Sequence, residues 1–153
     1  MHNSVNTTIS FGLLITIVGG SFYYVYATDP KDPWMGITAG AIISSDAPKE
    51  LELDQDRGYL ILTIAPSSPA DRAGLRGGDP ERSVTIDGRQ IPVGGDIILS
   101  MDERQINQRE DICAVLAQKQ TGDSVKLEVS RDGSPFEANL ILGEMPASAN
   151  SFC

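Results

Sequence analysis

Apolar positions in this chain form one long run near the start and a series of short runs after it. Asn3 to Thr28 contains no Asp, Glu, Lys or Arg, and Ile9 to Ala27 reads ISFGLLITIVGGSFYYVYA. As a helix at about 1.5 Å per residue this run reaches about 28 Å, close to the roughly 30 Å hydrocarbon layer. Tyr23, Tyr24 and Tyr26 gather at one end, as interfacial aromatics do. The pattern predicts a tail over 1–8 and a transmembrane anchor helix over 9–27. A cleaved signal peptide ending at Val25-Tyr26-Ala27 is the competing reading. Against it stand the missing basic n-region and the length of the run.

The linker, 28–33, carries Asp29-Pro30-Lys31-Asp32-Pro33, whose prolines and charges cannot continue a helix. Trp34-Met35-Gly36-Ile37 and Ile42-Ile43 are the next apolar runs. Leu51 and Leu53 alternate with acidic residues, which fits a half-exposed strand or a single turn. Tyr59 to Ile64 is nearly all apolar and rich in strand formers, so it reads as a buried strand. Ser68 before Pro69 starts a short helix, Asp71 sits in its first turn, and Gly74-Leu75 closes it.

Residues 79–93 hold two strand-like runs around Asp87-Gly88, a two-residue hairpin signal. Gly94-Gly95 leads into a strand from Asp96 to Met101. Asn107 caps a helix over 107–120, with Glu110 as its reciprocal partner and Ile112, Val115 and Leu116 on one face. Val125, Leu127 and Val129 alternate with polar residues, and Arg131-Asp132-Gly133 turns the chain into a partner strand from Phe136 to Leu142. Small polar residues over 144–153 predict a disordered tail.

Composition narrows the function classes. The net charge of −9 lies entirely after residue 28, and the pI near 4.4 argues against nucleic acid and anionic lipid as partners. Cys113 and Cys153 make no disulfide framework and no metal site, and no cofactor is expected. Cys113 reads as a small buried hydrophobe. The only histidine is His2, so no Ser-His-Asp triad is expected and the chain reads as a non-enzyme. The chemistry that stands out is Trp34-Met35-Gly36-Ile37. A small residue between apolar ones lets the backbone turn with its amides exposed, which suits holding a carboxylate and pairing a peptide with a strand edge.

The stretch GYLILTIAPSSPADRAGLRGGD from Gly58 to Asp79 resembles the central signature of a PDZ domain of the HtrA/Deg serine-protease type. Gly94-Gly95-Asp96-Ile97-Ile98-Leu99-Ser100-Met101-Asp102 continues the likeness, as do Glu110-Asp111-Ile112 and Thr121-Gly122-Asp123-Ser124-Val125. It covers 34–143, with 79–93 as an insert hairpin. The resemblance implies an α+β fold: a PDZ-like, partly open β-barrel or sandwich of five to six strands capped by two helices, here behind an N-terminal transmembrane helix. It also implies that a peptide adds as a strand beside the chain after the 34–37 loop. The peptide-binding residues it implies are Trp34, Met35, Gly36, Ile37, Thr38, Ile112, Cys113 and Leu116. For Ile112 and Leu116, plain core packing is an equal alternative.

The partners implied are the C-termini or extended segments of extracytoplasmic proteins, with the module serving as substrate adaptor for a separate protease and held at the membrane by its N-terminal helix. The alternative is a structural scaffold or secretion-complex component that binds through an outer surface such as 79–93. The chain before Trp34 is too short for a protease domain, so proteolysis is not carried over. Ser151-Phe152-Cys153 has the shape of a ligand for a neighbour's groove, a reading set behind the disordered tail.

Overall fold

The computed structural model describes residues 14–18, 21–25, 32–47 and 49–153. The expected tail over 1–8 and most of the linker lie outside them. The chain divides into two compact units, Met1–Pro30 and Lys31–Cys153.

In the first unit, β1 (Leu14–Val18) pairs antiparallel with β2 (Ser21–Val25), Leu14 opposite Val25 and Val18 opposite Ser21. This corrects the expected transmembrane helix: its described residues are extended. The apolar run gave length and polarity but not conformation. Thr16, Ile17 and Val18 are β-branched and Phe22, Tyr23 and Tyr24 aromatic, and both classes favour strands. The sequence between them, Gly-Gly, is itself a hairpin signal. Among the described residues no helix is long and apolar enough to cross a membrane.

The second unit begins with β3 (Pro33–Trp34), β4 (Ile37–Ile43), a 3-10 turn at Lys49–Leu51, and β5 (Gly58–Ile64). The four-residue helix α1 (Pro69–Arg72) precedes β6 (Asp79–Ile86) and β7 (Arg89–Val93), which form the insert hairpin. Then come β8 (Ile97–Met101), β9 (Arg104–Gln105), α2 (Arg109–Leu116), β10 (Ser124–Arg131), β11 (Ser134–Ile141) and β12 (Gly143–Glu144). The main sheet runs β11-β10-β8-β5-β4, with β9 beside β8, so β4 is an edge strand. β12 pairs with β3, Gly143 opposite Trp34. The described residues are thus mostly β, with two short α-helices and one 3-10 turn, as the expected architecture requires.

Local chemistry explains the elements. Ser68 Oγ accepts the amide of Asp71 at 3.3 Å, and Asp71 Oδ2 accepts that of Ser67 at 2.7 Å, so α1 is capped from both directions. Leu75 N–H reaches back to the Ala70 carbonyl at 3.0 Å, closing α1 beyond Gly74 (φ +77°). Val125, Leu127 and Val129 are fully buried while Lys126 and Glu128 are exposed, the alternation the sequence carried. On β5, Tyr59 and Ile61 face the main core. Leu60 points to the other face, with Ile43 and Ile97.

Candidate functional site

The 34–37 loop is fixed by its carbonyls. The Met35 carbonyl accepts the Ala70 amide of α1 at 2.8 Å, and the Gly36 carbonyl accepts the Ala65 amide at 2.8 Å. In a trans peptide the following N–H points the opposite way, so the amides of Gly36 and Ile37 turn from these partners. The second bond also makes Ile37, opposite Ile64, a non-hydrogen-bonded position of the β4–β5 ladder. Because β4 is an edge, the Ile37 N–H faces its open side. Gly36 has φ +87°, and a Cβ there would collide with the Ser68 side chain, so only glycine fits the turn.

α2 stands across from this loop. Its start is held by Asp111, whose Oδ2 accepts the amides of Asn107 (3.0 Å) and Gln108 (3.1 Å). The N-cap is Gln108, one residue after the Asn107 read from the sequence, and Asp111 takes the part expected of Glu110. The shorter carboxylate one residue further on reaches both amides. The Asn107 amide, despite the opposing effect of burial and with help from Gln108 and Arg104, holds the Asp111 carboxyl below its usual range.

Five of the anticipated residues line one cavity of about 230 Å³: Trp34, Met35 and Ile37 from the loop, Cys113 and Leu116 from α2. Thr38 lines an adjoining cavity of about 470 Å³ along β4, with Ile37, Gly40, Ile42, Tyr59 and Arg109. Gly36 shapes the turn without lining either. Ile112 faces the core at 0% exposure.

Both cavities are bordered by the segment expected to be disordered. Cys113 and Cys153 are joined in a disulfide, Cα to Cα 5.6 Å. Phe152 packs edge-on against Tyr59 with ring centroids 5.5 Å apart, and the Arg109 guanidinium lies 5.0 Å from the same ring. Arg109 Nη2 also donates to the Phe152 carbonyl. Burial pushes the Tyr59 hydroxyl pKa up, against the opposing charge of Arg109. Residues 144–153 are therefore anchored, and Cys113 is a bonded partner rather than a mere small hydrophobe. Low complexity hid this, because two cysteines and one phenylalanine supply the anchorage. The one available signal was an even cysteine count.

The sequence also missed a buried ion pair behind the loop. Asp96, 0% exposed, receives Arg131 Nε and Nη2, each at 2.7 Å, and the Arg76 amide at 2.8 Å. The same guanidinium donates to the Gly74 carbonyl at 2.7 Å, so one pair ties the end of α1, the start of β8 and the end of β10. The carboxylate raises the Arg131 pKa still further.

Comparison with known proteins gives a consistent assignment. The chain is 27% identical over 112 residues to the periplasmic pH-dependent serine endoprotease DegQ of Escherichia coli, covering 73% of this chain and 21% of that protein. It spans between 10% and 22% of the length of the first curated relatives it matches. Its fold is similar to the HtrA-type protease AlgW with decapeptide (TM-score 0.58, 19% identity, 76% of this chain and 30% of that one). It is also similar to the HtrA3 PDZ domain bound to a phage-derived ligand (TM-score 0.53, 18% identity, 74% of this chain and 86% of that one). The family model described as PDZ domain matches residues 49–142, and the chain belongs to that family.

Proposed function

We propose that the groove between β4 and α2 binds an extended peptide, adding it as a strand to the β4 edge with its last side chain in the 230 Å³ cavity. The observation that carries this is the Ile37 N–H, turned to the open side of an edge strand beside an apolar cavity. The amides of Gly36 and Ile37 meet the terminal carboxylate, and Trp34, Met35, Ile37, Cys113 and Leu116 surround the anchor. Thr38 borders the incoming strand. Two proteins of similar fold are described with a decapeptide and with a phage-derived ligand, which supports the same use here.

Magnitudes place the affinity at micromolar or weaker. Four or five added backbone hydrogen bonds contribute about 1 kcal/mol each, and a buried anchor about 1.5–3 kcal/mol. Association costs at least about 4 kcal/mol, and a micromolar Kd requires about −8 kcal/mol.

Relatives named as periplasmic, together with a disulfide, favour an extracytoplasmic setting. Attachment to a membrane through the charge-free stretch 3–28, and delivery of bound proteins to a separate protease, complete the reading. Titration of the full chain against a C-terminal pentapeptide library tests its core. Saturable binding that is lost when the peptide carboxylate is amidated is the expected result. No binding at millimolar peptide by any form of the chain, oxidised or reduced, would refute it.

A further inference from the structure

The segment that borders the groove is itself built like an occupant. Ser148 to Phe152 line the cavity along β4, and Ser151 to Cys153 line the cavity beside the 34–37 loop, so the segment follows the groove over both. It is held at its end by the Cys113–Cys153 bond and one residue earlier by Phe152 on Tyr59 and Arg109. It forms no ladder with β4, and among the described residues no strand pairs with that outer edge, while the wall of α2 facing it is taken. An incoming strand needs about 4.8 Å beside β4 and then an apolar wall for its anchor. At Cys113 that wall carries the segment's own last residue.

We infer that residues 148–153 are an internal occupant of the groove, locked by Cys113–Cys153, and that reduction of this bond admits an external peptide. The inference rests on the peptide-binding reading above and names its regulation. Cys153 is an exposed residue and Cys113 a half-buried one, so a reductant approaches the bond from the Cys153 side. The reductant is a dithiol. Its thiolate attacks one sulfur of the bond and expels the other as a thiolate. Its second thiol then resolves the mixed disulfide, leaving the reductant as a disulfide and the chain with two thiols. Two electrons and two protons pass to the protein.

After reduction the contacts of Phe152 with Tyr59 and Arg109 still hold the segment. It remains tethered through Glu144, at an effective concentration in the millimolar range for a short flexible linker. Reduction therefore weakens the block and deletion removes it. This orders the peptide affinities: oxidised weakest, reduced and Cys153→Ser stronger, and the chain lacking 148–153 strongest.

The test uses the full chain in these four forms with the C-terminal pentapeptide library as probe, and hydrogen exchange of the same forms without peptide. The expected result is at least tenfold tighter binding on reduction, matched by Cys153→Ser, with faster exchange over 148–152. Equal affinity in all four forms overturns the inference and leaves the peptide-binding reading standing. Failure of every form to bind, the deletion included, overturns both. The melting transition of Cys153→Ser guards against a folding artefact, because that variant keeps every core residue.

Discussion

Arg131 grips Asp96 with two parallel hydrogen bonds of 2.7 Å, and the carboxylate it grips has no exposed surface. Removing one member of such a pair leaves a buried charge without its partner, which costs about 3–5 kcal/mol. The Arg131 side chain keeps 23% exposure, so water recovers part of the loss. Asp96→Ala is expected to cost about 3 kcal/mol, read as a lower urea midpoint at unchanged slope. Asp96→Asn is expected to cost less, because an amide oxygen still accepts from the Arg76 amide.

Gly36 is held by two separate constraints. Its φ of +87° disfavours any side chain by about 1–2 kcal/mol, and a Cβ would also strike Ser68. Gly36→Ala is therefore expected to lose more than the backbone cost alone. Pairing it with Ser68→Gly relieves the collision but not the φ, and a glycine at a helix cap costs only a few tenths of a kcal/mol. The double variant is predicted to be more stable than Gly36→Ala alone, as a double-mutant cycle in urea shows directly.

Cys113 and Cys153 are 40 positions apart, and the loop they close contains β10 and β11. Closing a loop of that length in the unfolded chain stabilises the native state by about 4 kcal/mol in the entropic model, and measured values are commonly about 2–4 kcal/mol. Reduction is expected to lower stability by about that much. Cys153→Ser is expected to start at the lower value and to be indifferent to reductant.

Those three sites differ in how much of them the sequence carried. Gly36 and the Ser68-Pro69 start of α1 are local signals: each follows from a few adjacent residues, and each stands where it was read. The alternation Val125-Leu127-Val129 likewise needs only the period of a strand. Asp96–Arg131 and Cys113–Cys153 join residues 35 and 40 positions apart, and nothing in the local pattern of either partner names the other. The segment over 144–153 looked disordered because its small polar residues outnumber the two that anchor it. Residues 9–27 misled in another way. Length and polarity fit a membrane helix, while β-branched and aromatic residues favour the strands described there.

Asp111 makes stability depend on pH. The amide of Asn107 first, then that of Gln108 and the Arg104 side chain, hold its carboxyl below the usual 3.8 while burial opposes them. A carboxyl depressed on folding contributes stability that is fully present above its unfolded value, about 3.9. That contribution is lost as the pH falls through the lower folded value. Asp111→Asn is predicted to be less stable than the parent at pH 7 and to approach it as the pH falls through the depressed folded value. Urea midpoints measured across that range report the two curves. Parallel curves would assign the acid sensitivity to other carboxylates.

The insert hairpin separates the groove from the outer-surface reading. β6 and β7 are mostly exposed, and Ile86, Arg89 and Ile91 border a cavity of about 620 Å³ with Leu60 and Leu62. Leu60 lies on the face of β5 opposite Tyr59 and Ile61, so the hairpin covers the side of the sheet away from the main core and α2. Asp79 pairs with Val93, which leaves the ends of the hairpin close enough for a short turn to bridge. Replacing 80–92 with a Gly-Ser turn is predicted to leave peptide affinity within about twofold, since no residue of the hairpin lines either groove cavity. It also uncovers Leu62, so a rise in binding of an apolar dye is the expected side effect. If peptide binding survives while capture of a native partner is lost, the outer surface rather than the groove holds that partner.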